Sequence, residues 1–414
     1  MARSHIISGI DIGNSYIKVV TANISRDSIK PEIIGAGSAI SNGLRKGMVM
    51  DMEETIGNIK AAVQQAEAMS GIPIKSAYLS ISGLHIKSQL SRGVIAVSRA
   101  DSEISQSDVD RVLQAASIVS LPANREIIHI VPRGYIIDGT EHVKNPIGMK
   151  GVRLEAEVLI IDGLAPYIRN IIRCIEESRI EVAGLVYAPL AAALASLDKT
   201  QKEYGVMNLD FGGATSTVAV FEENDLLHSA VLPIGSRHIT NDLAIALRTS
   251  LETAEKIKLE HAATSESEDA RRKESIDLTN YMGKDGFIVP KRQLMRVVDA
   301  RLEELLDMVN AELKKISRNG LLPAGVVLSG GGANLPGLPF LVKETLRLPV
   351  KIAKPIHVEG IVDVVTDPSY SVSIGLILWG ADQEFSGIRS RKTGFSPQWS
   401  FFQKVIHWLK NFLP

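Results

Sequence analysis

The chain has 414 residues, more than one hydrophobic core supports, so its length predicts two to four compact units. Its 46 basic and 47 acidic residues nearly cancel, and this balance gives no support to nucleic-acid binding. The single cysteine, Cys174, excludes an intramolecular disulfide and a cluster of zinc-binding thiolates, and we expect it to be buried in a helix.

The N-terminal segment predicts a β-hairpin. Ile6–Ala22 consists of an apolar strand that ends at Asp11, a turn that contains Gly13, and a second strand rich in β-branched residues. A helix over Met52–Met69 and a strand over Ser76–Ser82 follow.

The sequence changes character between about Leu84 and Asp162. Short predicted strands surround one helix, which predicts a small α+β insertion. The strands are Gly93–Val97, Glu126–Val131, Tyr135–Asp138 and Glu155–Ile161, and the helix is Asp108–Val119 with Ser107 as its N-cap. Two further helices, Tyr167–Ile175 and Pro189–Leu197, return the chain to the first unit.

A weak internal repeat begins the second half. Val206–Phe221 echoes the first hairpin and places Asp210 at the matching turn. The remaining predicted elements form a second, mainly helical insertion and then a return to strands. They are a helix over Asp242–Ala262, a polar loop over Thr264–Lys273, a long helix over Lys291–Ile316, strands over Gly325–Leu328 and Val350–Ala353, and a helix over Tyr370–Asp382.

Three glycine-rich turns at strand ends suggest a polyphosphate site, because glycine lets backbone N–H groups approach phosphate oxygens. Lys18 would supply positive charge, and Asp11 and Asp210 would hold waters around Mg²⁺. The predicted contacts in the three turns are Gly13, Asn14 and Ser15; Gly212, Gly213, Ala214 and Thr215; and Gly330, Gly331, Gly332 and Asn334. The common P-loop and dinucleotide motifs are absent from the sequence.

These three turns resemble the phosphate-1, phosphate-2 and adenosine motifs of the actin, sugar kinase and DnaK-type chaperone superfamily. The resemblance implies a two-lobed α/β actin-like (ribonuclease H-like) fold that binds ATP and Mg²⁺ between its lobes. It also implies that Glu255 and Lys258 contact the ribose and adenine, although a solvated charged helix face would explain the same pair.

Within that superfamily, the segment that begins Asn145-Pro-Ile-Gly-Met-Lys-Gly-Val-Arg resembles the FtsA family of bacterial cell-division proteins, as does Arg45-Lys-Gly-Met-Val. The resemblance covers residues 5–382 and recurs in the tail. It implies subdomains 1A (1–83, 163–205 and 376–382), 1C (84–162), 2A (206–242 and 326–375) and 2B (243–325), followed by a linker (383–398) and an amphipathic helix (399–414).

One position departs from the superfamily. Many relatives carry Glu or Gln before the helix that starts here at Pro189, and that side chain orients the attacking water; this chain has Ala188. Alanine neither positions water nor accepts a proton. We therefore expect ATP binding with slow or negligible hydrolysis, no catalytic residue, and a nucleotide that acts as a switch.

The C-terminal segment separates into an apolar and a polar face when it is drawn as a helix. Its aromatic residues and lysines suit an anchor in the headgroup plane of a membrane, reached through a basic linker with Arg389, Arg391 and Lys392. The predicted membrane-binding residues are Trp399, Phe401, Phe402, Lys404, Val405, Ile406, Trp408, Leu409, Lys410, Phe412 and Leu413. A helix that docks on the body of the protein or on a partner is the alternative.

The FtsA resemblance implies a function in assembly. Such a protein binds the C-terminal peptide of the tubulin homologue FtsZ through 2B, polymerises, recruits later division proteins through 1C, and lies peripherally on the cytoplasmic face of the membrane at the septum. Two alternatives are a pilus-assembly adaptor, which needs no anchor of its own, and a small-molecule kinase, which needs a carboxylate base in the cleft. A chaperone is disfavoured because no substrate-binding domain follows.

Overall fold

The computed structural model describes residues 5–24, 30–98, 101–119, 121–139, 141–265, 267, 275–283 and 286–385. In chain order the strands are β1 (His5–Ile12), β2 (Tyr16–Ile24), β3 (Glu32–Ile40), β4 (Leu44–Arg45), β5 (Met48–Val49), β6 (Ser76–Ile81), β7 (Lys87–Ala96), β8 (Arg125–Ile137), β9 (Glu141–Val143), β10 (Arg153–Leu164), β11 (Glu181–Tyr187), β12 (Val206–Phe211), β13 (Ser216–Glu222), β14 (Asp225–Leu232), β15 (Ser275–Asp277), β16 (Ile288–Pro290), β17 (Gly325–Ser329), β18 (Val350–Ile352) and β19 (Glu359–Gly360).

The helices are α1 (Met52–Ser70), α2 (Gln106–Ser117), α3 (Ala165–Glu177), α4 (Ala188–Ser196), α5 (Lys199–Tyr204), α6 (Ser236–Leu247), α7 (Leu251–His261), α8 (Thr279–Met282), α9 (Lys291–Lys315), α10 (Leu338–Leu346), α11 (Val362–Thr366) and α12 (Ser371–Phe385). Short 3₁₀ turns cover Gly331–Asn334 and Pro368–Tyr370.

Two sheets form the centres of two lobes, as the repeat predicts. The first has the order β11-β6-β1-β2-β3-β19 and the second the order β14-β13-β12-β17-β18. In each, an antiparallel hairpin pairs on one side with a parallel strand: β1 with β6, and β12 with β17. The two hairpins therefore have the same place in their sheets, and the predicted two-lobed α/β architecture is confirmed.

The lobes share part of their core through α4. This helix consists of alanine, leucine, proline and serine, and it is buried on nearly every side. Tyr187 and Leu190 lie in one apolar cluster with Val206 and Phe221 of the second lobe. A helix that is apolar all round belongs in an interior, and here it joins the two halves.

The first insertion is a four-stranded sheet, order β7-β10-β8-β9, with α2 on one face. Gly93 permits the close approach, since a Cβ there would lie 2.3 Å from the carbonyl oxygen of Val112. The prediction of separate strands on either side of Pro132 is wrong: β8 is continuous, and a bulge at this point accommodates the proline.

The predicted N-cap of α2 is also wrong. The helix begins at Gln106 after Ser105, whose backbone N–H donates to Asp108 Oδ2 at 2.9 Å. Asp108 is fully buried and accepts a second bond from the hydroxyl of Ser98 at 2.6 Å, so a buried carboxylate fixes the start of this helix.

The predicted single helix over Asp242–Ala262 is two helices, α6 and α7. Arg248 adopts a left-handed conformation with φ 53°, which ends α6. Ser250 then caps α7 by accepting from the backbone N–H of Thr253 at 3.1 Å. The long helix α9 confirms its prediction, whereas most of the polar loop over Thr264–Lys273 lies outside the described residues.

The chain returns to the first lobe earlier than the sequence suggests. β19 pairs in parallel with β3, and α12 packs on β1 and α4, with Gly375 against the backbone of Ala191. The segment 359–375, placed in 2A from the sequence, therefore packs with the first lobe. The helix α12 also continues to Phe385, into the segment predicted as linker; the rest of that linker and the amphipathic tail lie outside the described residues.

Within the described part of the chain, no helix combines the length and apolar character needed to cross a bilayer.

Candidate functional site

The turns of the two hairpins touch each other. The first turn (Gly13–Ser15) lies against the second turn (Gly212–Thr215), and a Cβ on Gly213 would be 1.9 Å from Ser15 Oγ. Gly235, which precedes α6, packs on the backbone of Gly213 in the same way. The structure thus brings together two predicted sites that are far apart in the sequence, and the glycines are what allow the approach.

The third turn (Gly330–Asn334) lies beside the second hairpin. Gly330 has φ 81°, and a Cβ there would be 2.7 Å from Asp210 Oδ1. The hydroxyl of Ser329 donates to the same carboxylate oxygen at 3.2 Å. A cradle that excludes side chains and is lined by backbone is the geometry that polyphosphates require.

Asp11 and Asp210 are both partly buried, and the charge of Asp11 acts on Asp210. Burial raises the pKa of Asp11, and the hydroxyl of Ser80, 2.7 Å from Asp11 Oδ1, and the charge of Lys18 partly offset this. Burial, helped by the negative charge of Asp11, raises the pKa of Asp210 to about 6, and the Ser329 hydroxyl and the charge of Lys18 partly offset that rise. A cation between the two carboxylates would relieve both penalties.

The donor set fits a hydrated Mg²⁺ better than an ion held by protein alone. Among the residues that the structure describes, no three His, Cys, Asp or Glu side chains form a metal-binding group. Mg²⁺ keeps several waters and commonly takes one or two carboxylates together with phosphate oxygens. Asp11 and Asp210 match that pattern.

Lys18 is held by the segment Asp367–Tyr370, named the crossing segment here because it contacts both lobes: the backbone N–H of Gly330 in the second lobe donates to the carbonyl oxygen of Pro368 at 3.0 Å. Its Nζ donates to the carbonyl oxygen of Ser369 at 2.8 Å and to the hydroxyl of that residue, and it lies 4.3 Å from the centre of the Tyr370 ring. Burial lowers its pKa, whereas the charges of Asp367, Asp11 and Asp210 raise it. The charge of Lys18 is therefore already partly balanced by the carboxylates of Asp367, Asp11 and Asp210.

Asp367 links this crossing segment to the third turn, and sequence reasoning missed it. Its Oδ1 accepts from Asn334 Nδ2 at 3.3 Å and from the backbone N–H of Ser369 at 2.8 Å. An Asp-Pro-Ser sequence before a helix is an N-cap signal and marks the residue locally. The charge of Asp367 also acts on Lys18, which is far away in the sequence, so no local signal shows this interaction.

Not every predicted residue has its side chain free for a ligand. Asn14 Oδ1 accepts from the backbone N–H of Gly47 at 2.8 Å, so this side chain supports the β4–β5 hairpin. Gly332 packs against the ring of Phe211, which brings the third turn onto β12. Ala214 and Thr215 are buried, with 9% and 7% exposure, so only their backbone is suited to phosphate.

Glu255 and Lys258 form a pair on α7. Lys258 Nζ donates to Glu255 Oε2 at 2.7 Å and to the hydroxyl of Thr240 on α6 at 3.0 Å. A solvated helix face does not describe Lys258, whose side chain is 10% exposed, although that of Glu255 is 41% exposed. The contacts of the pair run to α6, which begins beside the second turn.

Ala188 is the first residue of α4, as the sequence suggests. It is buried in an apolar cluster with Val372 and Trp379. Its methyl group meets hydrocarbon, and it offers nothing that would orient a water molecule.

Family models match two parts of the chain. Residues 83–162 match "SHS2 domain inserted in FTSA", and residues 207–375 match "Cell division protein FtsA". The first match coincides with the predicted insertion.

Curated relatives match over nearly the full length. The chain is 35% identical over 411 residues to "Cell division protein FtsA" of Pseudomonas aeruginosa, covering 98% of each chain. It is 37% identical over 408 residues to the Bacillus subtilis protein of the same name, covering 98% of this chain and 90% of that one.

Solved structures share the fold. The "PilM-PilN type IV pilus biogenesis complex" superposes with a TM-score of 0.66 at 16% identity, over 90% of this chain and 98% of that one. MreB5 of Spiroplasma citri bound to ADP superposes with a TM-score of 0.54 at 14% identity, over 91% and 96%. The predicted actin-like fold is confirmed.

Proposed function

The chain belongs to the FtsA family of cell-division proteins, and from that membership we propose that it binds ATP and Mg²⁺ between its lobes and tethers FtsZ to the cytoplasmic face of the cell membrane at the septum. The observation that supports nucleotide binding is the contact between the first and second turns, beside the two partly buried carboxylates of Asp11 and Asp210. The family relationship carries the tether half.

In this proposal, different residues of the cleft bind different parts of the nucleotide. Backbone N–H groups of the first and second turns hold the phosphates, and the third turn, at the end of β17, receives the adenosine. Asp11 and Asp210 orient waters of Mg²⁺, which neutralises phosphate charge when it is bound. Glu255 and Lys258 contact the ribose and adenine. MreB structures with the same fold are bound to ADP and to AMPPNP, which supports nucleotide binding by this fold.

Hydrolysis is slow or negligible in this proposal, because Ala188 stands in apolar surroundings where relatives orient water. The nucleotide then controls conformation and polymerisation rather than turnover. Since the two lobes meet at the phosphate turns, occupancy of the cleft sets how closely they approach.

The membrane half depends on residues 399–414, which lie outside the described residues. If the segment is drawn as a helix, its sequence places Phe401, Trp408 and Leu409 opposite Lys404 and Lys410, a pattern that suits the interface of an anionic bilayer. The preceding basic residues add attraction to that surface.

The two insertions are the proposed protein contacts. Exposed apolar side chains on the helical insertion, among them Ile245 (77%), Leu251 (59%) and Leu259 (71%), suit the C-terminal peptide of FtsZ. On the first insertion, Ile118 (81% exposed) and Val152 (67%) suit later division proteins or a second copy in a filament.

Co-sedimentation with anionic liposomes tests this function. The full chain is compared with a truncation after Gln398 and with Trp408→Glu, each with and without purified FtsZ and ATP. We expect the full chain to carry FtsZ down with the lipid and both variants to leave it in solution. If truncation changes nothing, the tail is a docked helix, the tether is wrong, and a pilus-type adaptor fits better.

A further inference from the structure

The side chain of Arg237 crosses from the second lobe to the first where the two phosphate turns meet. Its backbone N–H donates to the carbonyl oxygen of Gly213 at 2.7 Å. Its guanidinium donates across the cleft to the carbonyl oxygen of Ser41 at 3.4 Å, and the backbone N–H of Ser41 donates to the carbonyl of Ser15 at 2.9 Å. The guanidinium is therefore held between the first and second turns.

Among the residues that the structure describes, the only side-chain hydrogen bond of Arg237 is the one to Ser41. In the described ranges no carboxylate pairs with it, and its bond to Ser41 is long for a charged donor. Ser41 itself is 1% exposed, and its hydroxyl oxygen has no hydrogen-bond partner among the residues described. Unmet polar groups at one point of a cleft call for a ligand.

The position of Arg237 near the start of α6 also favours a bound anion. Arg237 is the second residue of a helix, where the helix dipole disfavours a cation and favours an anion. A local rule broken without compensation is expected at functional positions. A bound anion would compensate the charge of the guanidinium and would also interact favourably with the helix dipole, although the first N–H groups of α6 already donate to Gly212 and Gly213.

Lys18 does not remove the need for such a residue. It lies among three carboxylates, those of Asp11, Asp210 and Asp367, and its Nζ is bonded to Ser369. A terminal phosphate placed between the turns adds negative charge that Lys18 alone does not balance. Arg237 lies on the other lobe and approaches from the opposite side.

We propose that Arg237 binds the terminal phosphate of the nucleotide and so distinguishes a triphosphate from a diphosphate. A planar guanidinium presents parallel N–H donors that match phosphate oxygens. Without nucleotide, the Arg237 guanidinium donates to the carbonyl oxygen of Ser41. When a triphosphate binds, its terminal phosphate takes the place of that carbonyl as the acceptor. The inference rests on the nucleotide binding proposed above.

The test measures the affinity of the full chain for ADP and for the non-hydrolysable triphosphate AMPPNP, both with Mg²⁺, by equilibrium dialysis. We expect Arg237→Ala to weaken AMPPNP binding about tenfold, the loss of one charge-assisted contact, and ADP binding less than about twofold. Arg237→Lys keeps the positive charge but loses the parallel N–H donors of the guanidinium. Its affinity for AMPPNP should lie between that of the wild type and that of Arg237→Ala.

Arg248→Gly is the matched control. It removes the same charge from the other end of α6, and glycine readily adopts the φ of 53° found there. Both affinities should stay as in the wild type. Equal thermal unfolding midpoints of the variants without nucleotide show that folding is not the cause.

Equal weakening of ADP and AMPPNP binding by Arg237→Ala, or no weakening of either, overturns the inference while leaving nucleotide binding intact. A wild-type chain that binds neither nucleotide overturns the proposed function and this inference together. The two failures are therefore distinguishable.

Discussion

Asp11 and Asp210 occupy the same position in two similar hairpins, yet their surroundings differ. Asp11 accepts a hydrogen bond from Ser80 at 2.7 Å, and the neighbouring Asn14 fastens the first turn to Gly47 at 2.8 Å. Asp210 has a longer bond from Ser329, at 3.2 Å, and the charge of Asp11 acts against its ionisation.

The comparison separates what a repeat determines from what it does not. The repeated strand, Asp and glycine turn set the backbone of both hairpins. The electrostatics come from residues outside the repeat, on β6, β17 and the crossing segment. We infer that the first turn is the more rigid of the two, and that the ionisation of the second responds more to a bound cation.

The largest effect is expected at the contact between the turns. In Gly213→Ala the new methyl group meets Ser15, so the turns must separate. We expect ATP affinity to fall about 30- to 100-fold, equivalent to about 2–3 kcal/mol of lost binding. Titration of the variant with ATP and Mg²⁺ measures this.

Two controls accompany that change. Gly57→Ala on α1, where nothing lies within 4 Å, should leave the affinity unchanged. The double variant Gly213→Ala with Ser15→Gly should recover part of the loss, because it removes the clashing hydroxyl. Normal affinity in Gly213→Ala alone would show that the contact between the turns is not needed.

A smaller effect is expected from the charge of Asp210. A carboxyl group whose folded pKa of about 6 lies above its unfolded value of 3.8 binds more protons in the folded state between these limits. The stability of the nucleotide-free protein should therefore fall as pH rises through this range. At about pH 7.5 we expect Asp210→Asn to be more stable than the wild type by about 1–2 kcal/mol.

Urea unfolding of both proteins at about pH 4.5 and about pH 7.5 measures the difference. The gain should be small at the lower pH, and the affinity of the wild type for Mg²⁺ with ATP should weaken as pH falls below about 6. A gain of equal size at both pH values would mean that Asp210 titrates normally.

The smallest effect on binding is expected in the first turn. Asn14→Ala removes the acceptor for the backbone N–H of Gly47. Stability should fall by about 1 kcal/mol, whereas ATP affinity should change less than about threefold, because the side chain is already used inside the lobe. Unchanged stability with a tenfold loss of affinity would assign the side chain to phosphate instead.

Much of the fold follows from local sequence signals. Apolar strands that end in Asp and glycine predict both hairpins, and the segment from Ser329 to Gly337 predicts the third turn. The long helix α9 follows from its amphipathic periodicity, and α1 follows from its helix-forming residues and the stop at Ser70-Gly71. The structure adds an N-cap, because Asp51 accepts from the backbone N–H of Glu54 at 2.9 Å.

Two wrong predictions, a break in β8 and a single helix over Asp242–Ala262, have physical reasons. Pro132 and Gly134 resemble a turn, but a bulge keeps β8 in register with β10. The left-handed conformation of Arg248 separates α6 from α7, but arginine, unlike glycine or asparagine, does not indicate such a conformation in a sequence, so the break between the two helices was not predicted.

Asp367, Ser369 and Arg237 enter the cleft through contacts with residues distant in the sequence, and periodicity carries no information about those. Residues of this kind decide the electrostatics of the site, and only the folded arrangement reveals them.

Hydrogen exchange of the full chain with and without ATP and Mg²⁺ tests directly whether the two lobes hold one nucleotide between them. We expect slower exchange of backbone N–H groups in all three turns, at residues 12–16, 211–216 and 330–335, because these groups hold one ligand together. Protection in only one turn, or none in any, would contradict a nucleotide held between the two lobes.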